Sequence, residues 1–377
     1  MSFERLSELL TRGLAQLEAG EYRAAAETYV AVLEFDPGNI TALNNLARLF
    51  RQSGRPDKAL ALLLQALATE TRSGELHHNL AAAYLDLGRN EDALAQLDLA
   101  CRIKPARAQA WVDLLRVLAA LGRYEHPVVT VIVPTVGAAS LGKALASVAA
   151  QTHPRIELIV AVDGEEHAPP VEDALSRLGP EVAPILLRVP RNTGANGFNG
   201  HRLYATASFL AEGHFVCFLD EDNWWDPDHV AALVRVAVDH QLAWTHSLRT
   251  LWLPDGGFLD RDDCDSLGAW PSWHGRYHHV DTNCYMLRRD VAVALSPVWY
   301  QRVRSGESPD MDLCRRLLDL HPGVRGSGLY SVNYTVANTA FSAAPAYFLE
   351  GNARMRAVHG ARPPWAVPAA QPAPEGD

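Results

Sequence analysis

The stretch HFVCFLDEDNWWDPDH, His214 to His229, runs an apolar β-type segment directly into three acidic residues. Phe215, Val216, Cys217, Phe218 and Leu219 are continuous in their apolar character, as expected of a strand buried on both faces of a parallel or mixed sheet. If the backbone stays extended past Leu219, Asp220 and Asp222 fall on one side and Glu221 points away. Two carboxylates converging at the mouth of a buried strand suit a hard divalent cation, Mg²⁺ or Mn²⁺, which prefers oxygen ligands and shares them with phosphates. Asp226-Pro227-Asp228 reads differently, as N-cap, first-turn proline and dipole-favoured acid of the next helix.

The same texture extends on both sides of this segment. VVTVIVPT, IELIVAVDG, APILLRVP and FVCFLDED alternate with amphipathic helical stretches, which predicts βαβ units and a largely parallel, doubly wound α/β sheet. Ligands bind such sheets at the carboxyl ends of the strands. Those ends carry Pro134-Thr135, Asp163-Gly164, Arg191-Asn192 and Asp220-Glu221-Asp222. Further along, strands are expected at Leu242 to Trp252 and at Val280 to Leu287, with a helix from Asp310 to Asp319. The proline- and alanine-rich stretch from 361 to 377 has the composition of a disordered tail.

Before residue 125 the pattern is helical and self-similar. Gly20, Gly54, Gly88 and Gly122 recur every 34 residues, as do Ala25, Ala59 and Ala93, and also Gly13, Ala47 and Ala81. This resembles the tetratricopeptide repeat, a helix-turn-helix unit of that period stacked into an α-solenoid. Repeats are expected at 4–37, 38–71 and 72–105, with a truncated fourth unit in which Trp111, Leu114 and Leu115 keep the helical phase. Asn45 and Asn79 share one repeat position on the first helix of their hairpins. Either they hold an acceptor peptide, since a carboxamide both donates to and accepts from one peptide unit, or they brace neighbouring hairpins.

At 377 residues the chain has room for two domains. The expected division is a helical repeat domain at 1–125, an α/β domain at 126–360 and the tail. A net charge of −10 argues against a nucleic-acid partner. Five scattered cysteines without a CxxC pair suggest a reduced, cytoplasmic protein. The amphipathic N-terminus does not read as a signal peptide, and no apolar run reaches membrane-spanning length.

VIVPT, SVAAQTHPRIELIVAVDG, RNTGANG and FVCFLDEDNWWDPDHV, in that order, resemble the family 2 inverting glycosyltransferases, which have the GT-A fold. The resemblance covers residues 128 to 320. It implies that Pro134 and Thr135 flank the nucleoside, that Asp163 accepts a hydrogen bond from the base, and that Arg191 and Asn192 lie near base or ribose. Asp220 and Asp222 correspond to the DxD motif, Asp220 nearer the ribose and Asp222 on the metal, with Glu221 kept among the nucleotide-sugar residues. The segment Gly197 to Arg202 departs in spacing from the family pattern, and Arg202 or His201 is expected near the pyrophosphate.

In the same resemblance, Asp310 corresponds to the general base, with Asp312 as runner-up; Pro309 stands where family members carry a glutamate. Ser308-Pro309-Asp310 also reads as an ordinary helix start. His279 or Asp281 is expected either to contact a sugar or to belong to a core hydrogen-bond cluster. A third metal ligand is sought in His359 or His321. The implied activity is metal-dependent inverting transfer of a sugar from a UDP-sugar to a protein or peptide acceptor recruited by the repeats. A polysaccharide, lipid-linked glycan or small-molecule acceptor, with repeats serving for dimerisation, is one alternative. A non-catalytic nucleotide-sugar-binding scaffold is another.

Overall fold

The computed structural model describes residues 3–104, 108–179, 182–194, 199–301, 308–337, 343–361 and 363–366. The chain divides into two compact units, residues 1–121 and 122–377.

The first unit is three helical hairpins and a single helix: α1 (Phe3–Glu18) with α2 (Tyr22–Phe35), α3 (Ile40–Gln52) with α4 (Pro56–Thr69), α5 (Gly74–Asp86) with α6 (Asn90–Ile103), and α7 (Ala108–Leu121). The periodic glycines close the first helix of each unit. Gly20, Gly54, Gly88 and Gly122 sit at φ +78°, +71°, +71° and +64°, a region that costs an L side chain energy and glycine nothing. The next residue's N–H then reaches back to a carbonyl five residues earlier, Glu21 to Gln16, Arg55 to Phe50 and Arg89 to Tyr84 at 2.8 to 2.9 Å, which satisfies carbonyls the helix end leaves open. Successive first helices are tied by pairs 35 residues apart: Asn79 to Asn44 at 2.7 Å, Arg51 to Asp86 at 2.6 Å, and His78 to Asp113 at 2.8 Å. Asn79 is therefore a brace between hairpins. The half-buried Asn45 side chain makes no hydrogen bond among the described residues. The periodic alanines lie wholly inside, with Ala25 packed among Leu9, Leu17, Tyr29 and Val32.

The second unit is built on one mixed sheet. β1 (Val129–Thr135) lies between β2 (Ile156–Asp163) and β4 (Phe215–Phe218), β3 (Ile185–Val189) forms the edge beyond β2, and these four run parallel. α8 (Leu141–Ala149), α9 (Ala168–Ser176), α10 (His201–Leu210) and α11 (His229–Asp239) make the connections. Every residue of β1 and β4 is buried, as the apolar runs require of strands covered on both faces. Beyond β4 the sheet departs from the largely parallel expectation. β8 (Tyr285–Arg288) pairs antiparallel with both β4 and β6 (Trp244–Trp252), and β9 (Arg325–Thr335) runs parallel to β6. The two-residue β5 (Trp224–Trp225) pairs with β9, and β7 (Phe258–Arg261) with β6. Val280 to Cys284, read as strand, is instead an extended segment and a 3-10 turn before β8.

α12 (Arg289–Leu295), α13 (Pro309–Leu320) and α14 (Pro345–His359) complete the unit. Arg356 of α14 bonds Asp260 and Asp263 at 2.7 and 3.0 Å. Trp365, inside the stretch expected to be a disordered tail, is buried beside Leu248 and Leu267 and donates its indole N–H to Asp263 at 3.1 Å. Burial of that ring overrides the proline-rich composition around it; residues 367–377 lie outside the described residues. All five cysteines are buried, and none forms a disulfide. No helix among the described residues is long and apolar enough to cross a membrane.

Candidate active site

Strand order reverses at β1, which is flanked by β2 on one side and β4 on the other. At such a switch point the loops leaving adjacent strands diverge and open a crevice. Here that crevice is a cavity of about 620 Å³. Its wall brings together Pro134 and Thr135 from β1, Asp163 from β2, Asn192 from the next loop, and Asp220, Glu221 and Asp222 from beyond β4. Asp281 and Asp310, more than fifty residues further on, line it too.

The three acidic residues after β4 are not on an extended strand. The strand ends at Phe218, and Asp220 opens a turn closed by the Asn223 N–H at 3.2 Å. Glu221 consequently swings toward β1 instead of away. Its carboxylate accepts from the Thr135 hydroxyl, from Val136 N–H at 3.1 Å and from Ala138 N–H at 2.9 Å, and so fixes the loop after β1. Asp222 is oriented by the Asn223 carboxamide at 3.0 Å, which in turn accepts from the Thr335 N–H. Asp220 is clamped by the Tyr204 hydroxyl at 2.6 Å and the Asn283 carboxamide at 2.9 Å. Burial lifts the Asp220 carboxyl above its usual range despite the Tyr204 bond, and the negative charge of Asp281 adds to the shift.

Asp163 spends its oxygens on the neighbouring loop, accepting from Thr193 N–H at 2.6 Å and Gly194 N–H at 2.8 Å. Each oxygen keeps a second lone pair for a ligand. The start of α10 presses on β1 so closely that a Cβ on Gly200 would stand 2.6 Å from the Pro134 ring. His201, stacked on Trp299 at 5.8 Å, lines the cavity. Arg202 does not; it turns to the Thr193 carbonyl at 3.3 Å. Arg191 is exposed and outside the wall, and Gly197 and Phe198 lie outside the described residues. His201 is the one basic side chain on the wall among the described residues, against six carboxylates.

Behind the wall lies a buried ionic network. Arg249 meets Asp262, Asp265 and Asp281 at 2.7, 2.9 and 2.6 Å with nearly no exposure. Asp281 also receives the Asn283 carboxamide at 2.8 Å. His279 bridges Asp265 and Asp310, 3.0 Å from each. It is thus behind Asp310 and absent from the cavity wall, the core-cluster side of the two readings. Asp310 stands in the first turn of α13, bonded by the Ser308 hydroxyl and by Met311 N–H. Burial opposes its charge, but His279 and Ser308 outweigh it and hold the carboxyl at about 2. Asp312, the runner-up, is buried away from the cavity and neutralised by Arg315 and Arg316. His359 packs edge-on against Trp270 and Trp365 and His321 offers its carbonyl to Trp244; neither reaches the carboxylates.

Residues 130–291 match the family model of glycosyl transferase family 2. The second unit holds a family 2 glycosyltransferase domain. The tetratricopeptide repeat model matches 16–83 and 50–111, so the chain joins helical repeats to this glycosyltransferase domain. No curated protein matches the chain. Among solved structures, MamA is similar at 24% identity over 33% of this chain and 67% of its own, with a TM-score of 0.31. MamA of Desulfovibrio magneticus RS-1 is 18% identical over 31% and 66%, TM-score 0.30. A tetratricopeptide repeat protein from Parabacteroides merdae is 24% identical over 32% and 48%, TM-score 0.30. The chain spans about two thirds of the length of the MamA structures.

The glycosyltransferase match stops before Asp310. Tyr204, Asn283, Arg249 and Asp265 did not stand out in the sequence of this glycosyltransferase domain. They carry no motif and act through side chains lying 16 to 63 residues apart. The one available signal was the acidic cluster from Asp260 to Asp265 at the end of β7 and a lone arginine, Arg249, within β6.

Proposed function

We propose that the protein is a metal-dependent inverting glycosyltransferase that moves a sugar from a UDP-sugar to a protein or peptide acceptor recruited by the repeats. The observation that carries this reading is that Asp310 and the Asp220–Asp222 pair open on one cavity. Asp163 and Asn192, with Pro134 and Thr135, would receive the nucleoside, and Asp220 the ribose. Asp222, with Asp220 beside it, would hold the cation.

The donor set fits that cation. Carboxylate oxygens suit Mg²⁺ or Mn²⁺, and a wall with six carboxylates repels a diphosphate unless a cation intervenes. Bound there, the ion supplies charge stabilisation to the leaving diphosphate. In a single displacement the acceptor oxygen bonds the anomeric carbon as the carbon–oxygen bond to UDP breaks. The bonding pair leaves on UDP, the acceptor proton passes to Asp310, and configuration inverts. Asn45, on the first helix of its hairpin with its carboxamide unspent, is the acceptor-peptide residue this reading favours.

The test is a screen of nucleotide sugars with Mn²⁺ or Mg²⁺, scored by thermal shift and released UDP. Asp310→Asn should abolish UDP release while UDP binding persists. Absence of both stabilisation and turnover across the nucleotide sugars would sink the donor reading; unchanged turnover in Asp310→Asn would sink the base.

A further inference from the structure

We propose that His279 is a positioning residue, an imidazolium locked by Asp265 that holds Asp310 ionised and aimed at the acceptor; this rests on the reading of Asp310 as base.

The geometry leaves little choice of protonation state. Nδ1 lies 3.0 Å from Asp265 Oδ2 and Nε2 lies 3.0 Å from Asp310 Oδ2. A neutral imidazole has one N–H, so one of these contacts would set acceptor against acceptor. With both carboxyls ionised, both are satisfied only when the ring carries two protons. The residue is 8% exposed, so water does not screen either bond. Asp265 is fixed from its other sides by Arg249 at 2.9 Å and by the hydroxyls of Tyr277 and Tyr347 at 3.0 and 3.1 Å. An anion anchored in this way keeps the imidazolium charged. Asp310 in turn faces His279, the Ser308 hydroxyl, Met311 N–H and the His201 ring. Tyr285 donates to its carbonyl at 3.1 Å, with Cys314 behind. The His279 pKa is accordingly raised: burial opposes the charge, and Asp265 and then Asp310 outweigh it.

The arrangement has a chemical consequence. Burial by itself favours the protonated form of Asp310, and a protonated Asp310 takes no proton from the acceptor. His279 cancels that tendency. The acceptor proton passes to Asp310 as the new bond forms and then to water, while His279 keeps both of its own protons throughout. The same bond fixes the carboxylate plane and leaves one Oδ2 lone pair for the acceptor.

The test uses the full chain with ¹⁵N-histidine and ¹³C-aspartate labels, together with turnover of UDP-glucose and UDP-N-acetylglucosamine with Mn²⁺. One imidazole should keep both N–H signals well above the ordinary histidine range, vanish in His279→Gln, and titrate lower in Asp265→Asn. The carboxyl signal lost in Asp310→Asn should titrate near 2 in the wild type and move up to the ordinary carboxylate range in His279→Gln. In turnover, His279→Gln should lower kcat by about tenfold or more with donor KM nearly unchanged, and raise the acid limb of the pH profile. Asp265→Asn, which keeps the shape of the site, should act in the same direction. A neutral His279 at neutral pH, or an acid limb and Asp310 titration unmoved in both variants, overturns the proposal. If Asp310→Asn itself turns over normally, the base reading fails instead.

Discussion

Asn283 grips Asp220 at two points: its carbonyl oxygen accepts the Asp220 backbone N–H at 2.6 Å, and its amide nitrogen donates to the Asp220 carboxylate at 2.9 Å. One buried carboxamide thus sets both the turn after β4 and the direction of the carboxylate. Asn283→Ala leaves both partners short of a bond, and turnover should fall by roughly ten- to a hundredfold. Steady-state kinetics with the active donor checks this; unaltered kcat/KM would show that Asp220 needs no such support.

Asp222 lines the cavity and is only partly buried. Asp222→Asn should cost about a hundredfold in turnover and remove stimulation by Mn²⁺, while the melting temperature stays close to that of the wild type. Activity titrated against metal, with a parallel melt, separates loss of the cation from loss of the fold.

Arg249 faces three buried carboxylates at 2.6 to 2.9 Å. Arg249→Met strands those charges without a partner, at a cost of about 3–5 kcal/mol. Urea unfolding should show the loss directly, and a near-wild-type midpoint would contradict the network.

Stability should peak near pH 6.5. His279 binds its proton more tightly in the folded state, so its contribution is complete below about pH 6.5 and is lost as pH rises through its folded value. Buried His229 and His246 are held neutral by burial, at about 3 and about 4. Their contribution is present above about pH 6.5 and is lost as pH falls through those values. Asp310, depressed to about 2, adds a further loss at the acid end. Chemical denaturation across the pH range checks the shape, and His279→Gln should flatten the alkaline side.

Gly88 has open space where a Cβ would go, and its φ is +71°. Gly88→Ala should therefore destabilise the repeats by about 1–2 kcal/mol through backbone strain alone, with no effect on UDP release. Thermal melting and a donor-hydrolysis assay measure the two halves of that statement.

The sequence made the elements legible because their information is local. A 34-residue period of glycines and alanines specifies helical hairpins, and apolar runs ending in Pro134, Asp163 and Asp220 specify buried strands with a shared mouth. It failed where one assumption about backbone direction mattered. Glu221 was read as facing away because the strand was extended past Leu219, whereas a turn at Asp220 brings it onto Thr135. Asp226 was read as a helix N-cap, yet α11 begins at His229 and Asp226 instead accepts from Asn333 at 2.8 Å.

By itself, then, the sequence determined the repeats, the parallel half of the sheet and most of the cavity wall, since each follows from periodicity or from a strand end. Only the tertiary structure decided what surrounds Asp310 and Asp220. The bonds from His279 to Asp310, from Arg249 to Asp281 and from Asn283 to Asp220 span 31, 32 and 63 residues. No spacing rule connects such pairs. Charge state depends on distance and burial, and both arise only when β6, β8 and α13 are folded against the mouth of β4.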